Sequence, residues 1–237
     1  MARFFTPGMG YVAGPQSGST QDMDRTSLLA VLLLAAVAAG SPPAVAQGTA
    51  KPDLAKAKQT AETICVACHG ADGNSAVPSN PNLAGQGAEY ISRQLANFKA
   101  GVRVNPVMQG MAAPLSSDDM VALGLYFSQQ KPKGGAAKDP KLAAAGQTLF
   151  RAGDAATGLP ACAACHSPNG VGIPKNFPRL AGQYSDYTYA QLKAFKAGER
   201  GADPNGKDND GRIMASVASR MTDTQMKALA DYTSGLR

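Results

Sequence analysis

Two segments of this sequence carry the residue types that bind metals or do thiol chemistry, and they share one spacing: Cys65-Val66-Ala67-Cys68-His69 and Cys162-Ala163-Ala164-Cys165-His166. The chain has 4 Cys and 2 His, and all of them lie in these two segments. Cys-x-x-Cys-His is the attachment pattern of c-type haem. The two thiols add across the two vinyl groups, and the following imidazole is held where it can bind iron. Other chemistries use similar residues. A thioredoxin-like dithiol needs a strand–helix setting. A zinc site wants a full ligand set within one fold, and each segment offers only three soft ligands. A pair of structural disulfides would leave the adjacent His unexplained. The reading is therefore two covalently bound haem c groups, attached through Cys65, Cys68, Cys162 and Cys165, with His69 and His166 each supplying one axial ligand.

No His remains for the other side of either iron. Met is the low-spin alternative and raises the reduction potential. Met108 competes with Met111 in the first half, and Met214 with Met221 in the second. An internal repeat separates them. Leu83-Ala84-Gly85-Gln86 returns as Leu180-Ala181-Gly182-Gln183, an offset of 97 that also superposes the two Cys-x-x-Cys-His segments. Tyr90 then meets Tyr187, and Phe98-Lys99-Ala100-Gly101 meets Phe195-Lys196-Ala197-Gly198. A polar insertion around Gly201–Arg212 changes the offset to 106, and the match resumes through Met120 with Met226 and Leu123 with Leu229. Of the four competing methionines only Met108 and Met214 coincide at that offset, Met111 falling on Val217 and Met221 on Leu115, so these two are the expected sixth ligands. The competing role for all four is packing, which Met often fills.

A ligating His normally donates its other N–H to a carbonyl, which orients the ring. Pro81 and Pro178 each lie 12 residues after their His, and their carbonyls are the expected acceptors. Gln86, Gln183, Tyr90 and Tyr187 are repeated polar residues that could reach haem propionates, although helix starts and packing explain them as well.

The elements that must hold these groups read as helices. Leu54–Ile64 is rich in Ala and Lys and leads straight into Cys65. Ile91, Leu95 and Phe98 sit at i, i+4, i+7, with Gly101 as a stop. Ser116-Ser117-Asp118-Asp119 opens a helix carrying Met120, Leu123 and Phe127 on one face, and Thr222-Asp223-Thr224-Gln225 is the capping-box start of its partner. No strand-like alternation of useful length appears. Each copy is expected to be about three helices joined by Gly/Pro/Asn-rich loops, giving an all-α protein with domains at 51–130 and 141–237. Lys131–Pro140, made of Pro, Gly, Ala and Lys, reads as the linker.

Residues 1–46 read as a leader: Arg25, the apolar run Leu28–Ala39, then Ala44-Val45-Ala46 as the cleavage site. That apolar run falls short of the ~20 residues needed to span a bilayer. Cleavage would leave the net charge of +6 unchanged, because Arg3 and Arg25 offset Asp22 and Asp24. No basic run with interleaved aromatics points to nucleic acid. With aromatics at 6% and no Trp, large core side chains are scarce, a shortage that a bound cofactor relieves.

At these residues the chain resembles the cytochrome c4 family, di-haem proteins built from two class I cytochrome c domains. The likeness covers roughly residues 51–237. It rests on Cys-x-x-Cys-His-Gly-x-Asp-Gly-Asn-Ser at 65–75, Pro-x-Leu-Ala-Gly-Gln at 81–86 and 178–183, Met-x-Gly-Met at 108–111, and Cys-His-Ser-Pro-Asn-Gly at 165–170. The resemblance implies two tandem class I cytochrome c-like domains, each wrapped around one covalent haem with His/Met ligation. It also implies periplasmic electron transfer in a respiratory chain towards a terminal oxidase, and no enzymatic activity. The expected partners are redox proteins: a quinol-oxidising complex or a dehydrogenase as donor, and a haem-copper oxidase as acceptor. Any membrane association would be peripheral and through those partners. The alternatives are a cytochrome subunit of a dehydrogenase, or a di-haem peroxidase, for which the chain lacks the extra His.

Overall fold

The computed structural model describes residues 51–201, 206 and 208–237; the leader expected over residues 1–46 and part of the Gly201–Arg212 insertion lie outside them. The first helix, α1 (Leu54–Thr60), starts where the Asp53 carboxylate accepts the Lys56 N–H, an N-cap. It continues into a π turn, Ala61–Cys65, in which the Val66 N–H reaches back to the Ala61 carbonyl. The extra residue of a π turn rotates the next turn relative to the helix before it. Ala57 and Ala61 thus face the core, while the next turn, α2 (Val66–His69), presents its own side chains in a different direction.

The stripe Ile91, Leu95 and Phe98 lies on α3 (Ala88–Lys99), with Ile91 and Phe98 buried. Gln94 and Asn97 are buried on the same helix, a polar second face that hydrophobic spacing does not announce. The last helix of the first half, α5 (Ser117–Ser128), opens with a complete capping box between Ser116 and Asp119 and buries Met120, Leu123 and Phe127.

The second half repeats the pattern with α6 (Pro140–Ala152), α7 (Ala163–His166), α8 (Ser185–Lys196) and α10 (Asp223–Gly235). Thr222 and Gln225 form the capping box of α10. Each half also holds a short helix beyond the three expected: α4 (Pro106–Ala112) and α9 (Asn209–Ala218). Their starts depend on single caps, Asn105 onto the Met108 N–H and Asp208 onto the Gly211 N–H, rather than on an apolar stripe. Among the described residues no strand forms, and the only bridges are the isolated pairs Asp154–Leu159 and Ile173–Phe177.

The principal helix packings stay within each half: α1 and α3 against α5, and α6 and α8 against α10. Glycine permits the closest crossings. A Cβ on Gly124 would sit 2.3 Å from the Ala88 carbonyl oxygen, and one on Gly146 would sit 2.1 Å from that of Ala228. One core gathers Ala57, Ala61, Ile91, Leu123 and Phe127; the other gathers Phe150, Leu159, Leu192, Met221, Met226 and Leu229. The Lys131–Pro140 segment is tied down at both ends. Lys133 N–H donates to Asn74 Oδ1 and pairs with Asp72 through its ammonium, while Lys138 N–H donates to Asp231. No helix among the described residues is long and apolar enough to cross a membrane.

Candidate functional site

The loop after α2 folds back so that two distant carbonyls meet the two histidines. Gly73, at φ 73°, offers its carbonyl to the amides of both Leu83 and Ala84, which pinches the loop closed. In the second half Gly170 does the same for Leu180 and Ala181. Pro81 and Pro178 are thereby set beside the rings. His69 Nδ1 lies 2.9 Å from the Pro81 carbonyl oxygen, and His166 Nδ1 lies 2.9 Å from that of Pro178. A carbonyl can only accept, so each Nδ1 carries the proton and each Nε2 keeps its lone pair for a metal. Both rings are buried, and burial pushes both imidazoles below the ordinary His pKa, opposed by the carbonyl bond. At neutral pH they are neutral, the state in which imidazole binds a metal.

The two motif turns end alike, in a left-handed residue directly after the His: Gly70 at φ 75° and Ser167 at φ 66°. Ser167 is the only non-glycine with positive φ among the described residues. Its hydroxyl bonds to Asn169 and to the Val171 N–H, which holds the turn.

The cysteines do not have the environment of redox thiols. Burial pushes the Cys65 thiol up and the Cys162 thiol to about 11, whereas reactive dithiols depend on a depressed pKa. Among the described residues no three or more His, Cys, Asp or Glu side chains gather around a common metal position. The donor set fits a c-type haem: two thiols one helical turn apart, then an oriented neutral imidazole with Nε2 available. Cys65, Cys68 and His69 would hold one such group, and Cys162, Cys165 and His166 the other.

The methionines fall in three environments. Met108 on α4 and Met214 on α9 are half-buried. Met111 is 46% exposed, and Met221 is 2% exposed at the centre of the second core. Met214 and Cys162 pack against that same core cluster. Met108 is not among the residues packed on the first cluster beside Cys65.

The repeated Gln and Tyr residues serve the contact between the halves. Gln86 takes the Arg179 N–H at 2.8 Å and gives its own Nε2 proton to the Arg179 carbonyl at 2.9 Å. Gln183 does the same to Asn82, at 2.9 and 3.0 Å. Tyr90 and Tyr187 accept from Arg200 and Arg103. These two arginines are buried, and sequence reasoning passed over them; they are related by the offset of 97 that aligned their neighbours. The insertion contributes Asp210, whose carboxylate pairs with Arg93 of α3 at 2.8 Å.

Comparison with known proteins shows the same division into two halves. The family described as Cytochrome c matches residues 54–131 and again 143–236. The chain is 43% identical to cytochrome c4 of Azotobacter vinelandii over 192 residues, which covers 77% of this chain and 89% of that protein. It is 46% identical over 171 residues to a thiosulfate dehydrogenase electron acceptor of Thiomonas intermedia, covering 71% of this chain and 76% of that one. Reduced recombinant cytochrome c4 from Pseudomonas stutzeri superposes with a TM-score of 0.71 at 41% identity, covering 79% of this chain and all of that one.

Proposed function

The chain belongs to the cytochrome c4 family, a di-haem branch of the cytochromes c, and on that premise we propose that it shuttles single electrons in the periplasm, between a dehydrogenase or quinol-oxidising donor and a haem-copper terminal oxidase. The observation that carries the reading is the matched pair of 2.9 Å contacts from His69 to Pro81 and from His166 to Pro178. Both halves prepare a metal-binding imidazole in the same way, which supports two like haem sites in one electron carrier.

Bound haem would supply the one-electron iron couple. The chain's own residues do the rest. The four cysteines would fix the group covalently, and His69 and Met108 in the first half, with His166 and Met214 in the second, would bind its iron. Thioether ligation on both irons would leave no site for peroxide, as the carrier reading requires. The likeness to the Thiomonas intermedia acceptor supports a thiosulfate-oxidising dehydrogenase as one donor.

Stopped-flow reduction by such a dehydrogenase, followed by reoxidation with a haem-copper oxidase, tests the assignment. Reduction and reoxidation within a physiological turnover time support it. Rapid carbon monoxide binding to either ferrous iron overturns it in favour of an enzyme. Export rests on the leader at 1–46, and N-terminal sequencing of the exported protein should begin at Gln47.

A further inference from the structure

Each candidate axial histidine is one peptide group away from the other half of the molecule. His69 Nδ1 bonds the carbonyl of Pro81; the N–H of that same peptide group belongs to Asn82 and donates to Gln183 Oε1 at 2.9 Å. His166 Nδ1 bonds the carbonyl of Pro178; that peptide's N–H belongs to Arg179 and donates to Gln86 Oε1 at 2.8 Å. The path is crossed. The first half's histidine leads to a glutamine of the second, and the second's to a glutamine of the first.

We infer that Gln86 and Gln183 are positioning residues that tune the potential of the iron in the opposite half. The inference rests on the haem reading given above. The physical chain is short. A peptide N–H that donates polarises its own carbonyl, and successive bonds strengthen one another by ~10–30%. A stronger carbonyl acceptor draws the Nδ1 proton and makes the imidazole a better donor to iron. A more basic axial ligand favours ferric iron and lowers the potential. The glutamines are well held for this work. Both are buried, and each is pinned by its Nε2 donation to the next carbonyl, Arg179 or Asn82. Each Oε1 also accepts the amide that follows its own residue, Gly87 or Tyr184.

A glutamine acting only as glue between the halves would change stability without choosing an iron. Gln183→Met keeps length and apolar bulk but removes the acceptor. In that variant the equilibrium constant for reducing the His69 iron should rise about threefold, ~28 mV at 59 mV per decade for one electron, with the His166 iron unmoved. Gln86→Met should show the reverse. The two potentials come from a spectroelectrochemical titration and are assigned through the paramagnetically shifted haem methyl resonances. Shifts confined to the substituted half, equal shifts at both irons, or none at either overturn the inference. If one variant fails to fold, the other decides alone. Haem content is measured first. Fewer than two haems per chain in the wild type overturns the haem reading and this inference with it; two haems with uncrossed shifts overturn only the inference.

Discussion

Arg103 donates from Nη2 to the Tyr187 hydroxyl at 2.9 Å, across the contact between the two halves. Arg200 returns the bond to Tyr90, also at 2.9 Å. The two guanidiniums then share acceptors. Gln94 Oε1 takes one N–H from each, at 2.7 and 3.1 Å, and so does Gln191 Oε1, at 3.0 and 2.8 Å. Each guanidinium also stacks on a phenylalanine of its own half, Phe98 at 4.5 Å and Phe195 at 4.4 Å. Burial raises the cost of a Tyr187 phenolate, yet the two guanidiniums pull its pKa below the ordinary tyrosine value.

This network should be felt in folding. Arg103→Leu removes the donor to the Tyr187 hydroxyl and one of the two donors to each glutamine oxygen, and a buried polar group left without its partner costs ~1–3 kcal/mol. Arg103→Lys keeps the charge but not the planar fork, so its loss should be smaller. Urea unfolding followed by far-ultraviolet circular dichroism measures both. An Arg103→Leu protein as stable as wild type would mean the network contributes nothing to the fold.

Much of the fold within each half was legible in the sequence, because local rules wrote it. The capping boxes at Ser116 and Thr222, and the core stripe Ile91, Leu95 and Phe98, are periodic or positional signals that hold regardless of tertiary context. The Pro81 and Pro178 carbonyls were found because a repeated spacing restricts what a loop can bring to a ring. The contact between the halves was not legible. Gln94 and Arg103 look like ordinary surface polar residues, yet both are buried and bond to Arg200, Tyr187 and Gln191 of the second half. The repeat held a usable sign all the same: Arg103 and Arg200 share one offset with Tyr90 and Tyr187. The helices α4 and α9 escaped notice because each rests on one cap and a few residues.

Acid should weaken the start of α5. Asp119 sits in the capping box, and its carboxyl is held down to about 2, first by the Lys56 ammonium and then by the Ser116 hydroxyl and amide. Its folded pKa lies below the unfolded value of ~3.9. Its contribution is therefore complete above that value and disappears as pH falls through about 2. Wild type should exceed Asp119→Asn in stability at pH ~7 by under ~1 kcal/mol, since the pair is solvent-facing. The gap should close between pH ~4 and ~2 in parallel thermal melts. A gap that persists at the acid end would place the contribution elsewhere.

Covalent haem should number two per chain, one for each attachment segment. Intact mass spectrometry of protein matured by a cytochrome c export system should show two haem additions. Cys162→Ser with Cys165→Ser should show one, with the first haem's spectrum retained. Two additions on that double variant would mean that the second segment is not an attachment site.

The sixth ligands give the sharpest test, because four methionines compete for two places. Met108 and Met214 are half-buried on matching short helices. Met111 is 46% exposed, and Met221 is 2% exposed within the second core. The expected roles are ligation for the first pair, a solvent-facing position for Met111 and packing for Met221. Thioether on ferric iron gives a weak far-red absorption band. Met108→Ala and Met214→Ala should each remove about half of that band and lower one potential, because a thioether ligand favours the reduced state. Met111→Ala should keep the band and change stability by less than ~0.5 kcal/mol, as exposed substitutions do. Met221→Ala should also keep the band but lose ~2–5 kcal/mol of stability, the usual cost of truncating a buried methionine. Loss of the band in Met111→Ala with its retention in Met108→Ala would reverse the assignment in the first half, and the same reversal between Met221 and Met214 would do so in the second.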